Sequence, residues 1–169
     1  GDIGMRYGID GIIAAAGIER VEEISGLDCG SIDHLCELLQ ADPAQLPDRE
    51  DIEALDFALS CLAVETAVTR HAGHLEEFYT PMGQVFAQSG KDLRDVRKII
   101  ATGGSLVYSP KLHSILAYAL YNPQDKASLK PESASYLIDK NYIISAMGVL
   151  SERYPDVALR IMRKELLHE

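Results

Sequence analysis

The stretch from Arg97 to Pro110 constrains this chain more than any other. A basic pair, Arg97-Lys98, leads into Ile99-Ile100-Ala101, which runs into Thr102-Gly103-Gly104-Ser105 and then Leu106-Val107-Tyr108-Ser109-Pro110. A short β-branched run favours a buried strand. Two consecutive glycines remove two Cβ atoms where the chain turns, so a flat ligand can lie against bare backbone. Ser109 is suited to cap a new helix with Pro110 in its first position, where a missing N–H costs nothing. The stretch reads as strand, glycine turn and helix. Taken alone, the same pattern also suits a plain tight turn.

The other segments supply a helical setting for it. At 169 residues the chain is long enough to bury a substantial core, as one domain or one lobe of a larger one. Gly1 to Gly17 reads as a short strand or turn followed by a helix through Ala14-Ala15-Ala16, with Gly17 as its stop. Ile18 to Gln40 reads as two helices separated by Ser25-Gly26-Leu27-Asp28-Cys29-Gly30, the second capped by Ser31. Ala41 to Leu46 is a loop. The longest helix should span roughly Pro47 to Ala72, with Ile52, Leu55, Leu59, Leu62, Ala63 and Thr66 recurring on one face. Asp48, Glu50 and Asp51 suit the positive end of its dipole, and Arg70 and His71 suit the negative end.

Beyond Gly73 the period changes to that of a strand. Leu75 to Thr80 and Gln84 to Gln88 flank Pro81-Met82-Gly83, a β-hairpin pattern. Gly90-Lys91-Asp92-Leu93 turns the chain, and one helical turn is expected over Leu93 to Val96. After the central turn, Lys111 to Leu120 is an amphipathic helix, Ser133 to Asp139 includes a short strand, and two helices, Asn141 to Arg153 and Asp156 to Leu167, close the chain. Tyr154-Pro155 separates that last pair. Ala146-Met147-Gly148 gives a small-residue face that another element can approach closely.

Charge and residue usage narrow the function. A formal net charge of −10 argues against a nucleic-acid surface, which concentrates Lys and Arg. No apolar run is long enough to span a membrane and nothing resembles a signal peptide, so a cytoplasmic location is expected. The first residues are already motif-like and lack an initiator Met, which reads as a boundary within a longer chain. Cys29, Cys36 and Cys61 read as buried reduced thiols. Cys29, His34 and Cys36 lack an evident fourth ligand, and His71 and His74 straddle a helix end, so no structural metal is expected. Asp2 and Arg6 suggest phosphate or metal contact, with a helix-entry charge as the simpler alternative. Lys91 is a candidate for a phosphate or partner contact. No Ser-His-Asp or Cys-His order and no P-loop suggests a self-contained enzyme.

Two resemblances add to this reading. The strand followed by Thr102-Gly103-Gly104 resembles the adenosine motif of the actin, heat-shock chaperone and sugar kinase superfamily of ATPases. More closely, Gly1-Asp2-Ile3-Gly4-Met5-Arg6, Tyr79-Thr80-Pro81 and Gly90-Lys91-Asp92-Leu93 resemble the MutL-type accessory proteins of cobalamin-dependent glutamate mutase. Ala101 stands where those proteins usually have another glycine. The resemblance implies an α+β, predominantly helical fold, part of the second lobe of an actin-like (ribonuclease H-like) ATPase. Residues 1–17 and 74–169 would form the partial lobe carrying the adenosine turn, and 18–73 an inserted helical subdomain.

It further implies nucleotide binding by Thr102, Gly103, Gly104 and Ser105, with Arg6 and Lys91 as candidate phosphate or partner contacts. ATP with magnesium would be held by the full-length parent, with none tightly bound by this chain alone. The parent would be a chaperone-like ATPase that maintains or reactivates the mutase, its client, working with a missing N-terminal lobe. Cobalamin would belong to the client, because the D-x-H-x-x-G pattern that supplies a cobalt ligand is missing from the sequence. An alternative of another class is a helical protein-interaction module with no nucleotide role, gripping a partner through Ile18 to Ala72.

Overall fold

A computed structural model describes residues 5–168. Asp2 and the rest of the Gly1–Gly4 motif lie outside the described residues. The fold is α+β, with helices predominating over two small sheets.

The first half is a helical unit. Helices α1 (Ile9–Ala16), α2 (Ile18–Ser25), α3 (Cys29–Ala41) and α4 (Glu50–His71) follow one another through short joints. Gly17, at φ 89°, ends α1 and begins α2, a backbone conformation that favours glycine. α3 is capped by Asp28, whose side chain accepts the Ser31 N–H at 3.1 Å, so the cap falls three residues before the expected Ser31. A carboxylate at the Ncap reaches the N3 amide, and the serine lies within the helix. α4 matches the expected long helix closely and carries Glu50, Asp51 and Glu53 in its first turn and Arg70 and His71 in its last.

Ile9, Ile12, Val21, Ile32, Leu39, Ile52, Leu55, Leu59 and Leu62 are almost completely buried in one core. α1, α2, α3 and α6 (Leu112–Ala117) all contact α4. That is why Ala58, Ser60 and Cys61 are buried beside the expected stripe: the middle of α4 is packed on several sides. α1 shares this core with α2–α4. Cys36 and Cys61 are buried, whereas Cys29, in the first turn of α3, is exposed, contrary to expectation. Burial pushes the Cys36 thiol up to about 11 and the Cys61 thiol up to about 12.

The hairpin pairs β1 (His74–Thr80) with β2 (Gly83–Ser89), turning at Pro81-Met82 as expected. At its base two backbones cross through glycine. A Cβ on Gly73 would lie 2.3 Å from the Ser89 carbonyl oxygen and 2.7 Å from the Gly90 carbonyl carbon. The crossing is tied by Gly73 N–H donating to Lys91 O at 2.6 Å and by Leu129 N–H donating to Gly73 O at 2.9 Å. Residues 93–96 form a hydrogen-bonded turn, Val96 N–H to Leu93 O at 2.9 Å, in place of the expected helical turn.

The second sheet has the order β3-β4-β5, with β3 (Lys98–Ala101) parallel to β4 (Ser135–Ile138) and β5 (Leu167–His168) antiparallel to β4. α5 (Gly104–Val107) and α6 lie in the crossover from β3 to β4. α7 (Ile144–Ser151) and α8 (Pro155–Glu165) pack on each other before β5. The helix after the glycine turn begins at Gly104 itself, not at Ser109-Pro110. The Ser109 hydroxyl accepts the Lys111 N–H at 3.2 Å and so starts a turn that leads into α6. The core here is small: Ala101, Leu112 and Leu116, flanked by Ile99, Leu106, Tyr136 and Ile138.

Candidate functional site

A pocket of about 480 Å³ opens between the glycine turn and the helical unit. One wall is Gly104, Ser105 and Tyr108 with the Ser109-Pro110-Lys111 turn; the other is Met5, Arg6, Phe57 and Ser60, with the loop Pro43–Pro47 at one end. The local sequence explains each wall. Gly103 adopts φ 96°, which lets β3 break sharply into α5, and a Cβ on Gly104 would meet only the Tyr142 hydroxyl, 3.9 Å away. The opposite wall is one side of α4, with Phe57 half-buried and Ser60 buried, together with the turn that precedes α1.

The pocket joins residues far apart in the chain. Arg6 and the pair Gly104-Ser105 line it together, although nearly a hundred positions separate them. Arg6 is not free to roam. Its guanidinium donates to Asp56 at 2.5 and 2.7 Å and to the Gln45 carbonyl at 3.2 Å, so it braces α4 and the 43–47 loop as well as lining the pocket. Burial pushes the Asp56 carboxyl up from its ordinary value, and the Arg6 charge and hydrogen bonds oppose that shift. Lys111 lies 5.0 Å from the Phe57 ring centroid and 3.9 Å from Glu53, a cation held over an aromatic face at the rim.

Thr102 and Gly103 stand behind the wall. The Thr102 hydroxyl donates to Asp139 at 3.2 Å, and the Gly103 carbonyl accepts from Leu106 and Val107 N–H groups. Lys91 lies outside the pocket, at the base of the hairpin, with its Nζ 3.4 Å from His71 Nε2. His71 ends α4 and His74 begins β1, where its Nε2 is 2.8 Å from Glu76, so the two histidines do not form a ligand pair. Among the described residues no group of three His, Cys, Asp or Glu side chains could hold a metal ion. No helix of the described residues is long and apolar enough to cross a membrane.

Sequence reasoning missed Phe57, Ser60 and Tyr108 as pocket residues. Phe57 and Ser60 lie one position on either side of the buried Ala58-Leu59 pair, and a helix read as having one buried face leaves them unassigned.

The fold and site define an α+β protein with a ligand-sized cleft between a helical unit and a glycine turn. This chain belongs to the MutL protein family, whose model matches residues 1–166. Protein MutL of Clostridium tetanomorphum is 38% identical over 167 residues, which cover 99% of this chain and 36% of that relative. The chain thus spans about a third of the length of the curated relative it matches. No solved structure matches.

Proposed function

We propose that this chain supplies one side of an adenine-nucleotide cleft in an actin-like ATPase that serves cobalamin-dependent glutamate mutase as an accessory, maintaining or reactivating it. The observation that carries the reading is the pocket itself, which brings Gly104 and Ser105 face to face with Arg6 and Phe57. Its volume lies in the range of small-molecule sites. Met5, Leu46, Phe57 and Ile115 suit a flat base, and Ser105, Ser60 and the Gly104 backbone suit a ribose edge. The fit is poorer for phosphate, since Arg6 is already paired with Asp56 and Lys111 leans toward Glu53. Magnesium and the γ-phosphate would therefore be held by the remainder of the parent polypeptide, in the missing lobe. The division into a partial actin-like lobe at 1–17 and 74–169 with a helical insertion at 18–73 belongs to this proposal, as does a cytoplasmic location.

On this reading the chain alone binds nucleotide loosely and does not hydrolyse it. Contacts to base and ribose do not stabilise charge developing at the γ-phosphate, where catalysis acts. Calorimetric titration with ADP and ATP, beside a phosphate-release assay, tests both halves. Measurable binding that Gly104→Val weakens, with release at background, is expected. Absence of binding by both nucleotides overturns the nucleotide reading.

A protein-contact reading at a surface other than the Ile18–Ala72 helical module has its own support. The hairpin projects Tyr79, Met82 and Phe86 into solvent, with Met82 99% exposed. Exposed aromatic and apolar side chains on a two-stranded projection suit contact with another protein.

A further inference from the structure

The glycine turn does not hold itself in shape. Its helix, α5, is four residues long, below the length at which a helix is stable unaided. The internal bonds are few: Leu106 and Val107 donate to Gly103 O at 3.1 and 2.9 Å, and Tyr108 donates to Gly104 O at 3.2 Å. Beyond the packing of Leu106 on the small core, further restraint comes from the loop after β4.

Asp139 is 2% exposed and makes five hydrogen bonds, one of them accepted by its carbonyl from Tyr142 N–H at 3.2 Å. Its N–H donates to Ala101 O at 2.9 Å, continuing the β3–β4 ladder. Its carboxylate accepts from the Thr102 hydroxyl at 3.2 Å and from the Ile143 and Ile144 N–H groups at 2.8 and 3.3 Å. One side chain thus ties the residue just before the glycines to the first turn of α7. Three residues further on, Tyr142 adopts φ 54°, the one positive φ outside glycine among the described residues. An aromatic residue adopts that conformation only when its surroundings compel it. Its hydroxyl lies beside Gly104, 3.9 Å from where a Cβ on that pocket-wall residue would stand.

Neither Asp139 nor Tyr142 lines the pocket. They reach it through Thr102 and Gly104. We propose that Asp139 and Tyr142 are positioning residues, a two-point clamp that holds the turn from Thr102 to Tyr108 in its pocket-facing shape. Asp139 grips the turn where it leaves the strand, and Tyr142 backs it at Gly104, where α5 begins.

Amide hydrogen exchange of this chain, read by NMR at Leu106, Val107 and Tyr108, tests the clamp without any ligand. Removing Asp139 risks losing the fold, so the variants are Thr102→Val, Thr102→Ser and Tyr142→Phe. Thr102→Val should speed exchange at these three amides on the order of tenfold, the effect of losing one modest hydrogen bond, and Tyr142→Phe, which removes the hydroxyl beside Gly104, should speed it as well. Amides in α4 from Ala58 to Leu62 should not change, and Thr102→Ser should restore the slow rate. Unchanged exchange in the turn, or an equal rise throughout α4, overturns the clamp.

An ADP titration judges the link to ligand, which rests on the nucleotide reading. Wild type binding ADP about tenfold more tightly than Tyr142→Phe, at equal melting temperature, supports the link. Equal affinity overturns the positioning role. If wild type binds no ADP, the nucleotide reading falls and the exchange result alone decides the clamp.

Discussion

The two walls of the pocket are built on very different foundations. The helical wall rises from a core in which four helices bury a dozen side chains around α4. The glycine-turn wall rises from a three-stranded sheet whose central cluster is Ala101, Leu112 and Leu116. α7 is apolar along most of its length yet buries none of its residues, and Val149 is 72% exposed. A wall that owes its rigidity to packing is thus set against one that owes it to a few hydrogen bonds and glycine geometry. Packing resists deformation, whereas short hydrogen-bonded turns open locally at low cost. The mobile side of any ligand-linked change should therefore be the glycine turn.

Substitutions can break or sharpen that contrast. The largest effect is expected in the helical core, where Leu59→Ala should cost about 2–5 kcal/mol and Leu116→Ala should fall at the low end of that range. Both side chains are buried, but the thinner core around Leu116 can collapse into the space. Denaturant melts that rank them in the reverse order would refute the contrast.

Next comes the crossing that carries the hairpin. Gly73→Ala would drive a Cβ into backbone atoms of Ser89, Gly90 and Lys91, which have no flexible end to yield. The loss should approach the top of the roughly 1–3 kcal/mol typical of overpacking. A variant that melts like wild type would show that the two strands are free to part there.

The two glycines of the turn should separate cleanly. Gly103→Ala forces φ 96° on a residue with a side chain and should cost about 1–2 kcal/mol, although its Cβ meets nothing within 4 Å. Gly104→Ala carries no such strain and should change stability by less than about 0.5 kcal/mol. Equal costs would mean that backbone conformation does not govern the turn.

The smallest effect is in pH dependence, where two aspartates act in opposite senses. Burial raises the Asp56 carboxyl above its unfolded value, so its contribution is present at acid pH and is lost as pH rises through the raised folded value. Arg94 holds Asp92 at about 2, so that contribution is present above 3.8 and is lost as pH falls toward 2. Asp92 lies at the surface, where solvent screens the pair, and its share is slight. Melting temperatures recorded from pH 2 to 7 for Asp56→Asn and Asp92→Asn should change slope in opposite directions. Parallel changes would contradict the assignment.

The elements legible in the sequence were those with a local cause. The 3.6-residue recurrence from Ile52 to Thr66, the glycine stop at Gly17 and the Pro81-Met82-Gly83 turn each act through neighbours in the chain, and each element was found near its expected place. The glycine pair was legible as a turn, but its helix starts at once and Ser109 serves a later turn, because two residue types suited to starting a helix lie five positions apart. What stayed hidden was set by tertiary contact. Nothing around Phe57 signals that it faces a turn fifty residues away, and nothing around Arg6 signals that it is spoken for by Asp56. Tyr142 was invisible because its place beside Gly104 is set by the tertiary fold, not by a pattern in the neighbouring sequence.

The most direct test of the central claim, that one pocket joins the glycine turn to the helical unit and takes an adenine nucleotide, is an NMR titration of this chain with ADP. Shifts are expected at Gly104, Ser105 and Tyr108 together with shifts at Arg6, Phe57 and Ser60, saturating with one common affinity. Shifts confined to a single wall, or none at millimolar ADP, would contradict it.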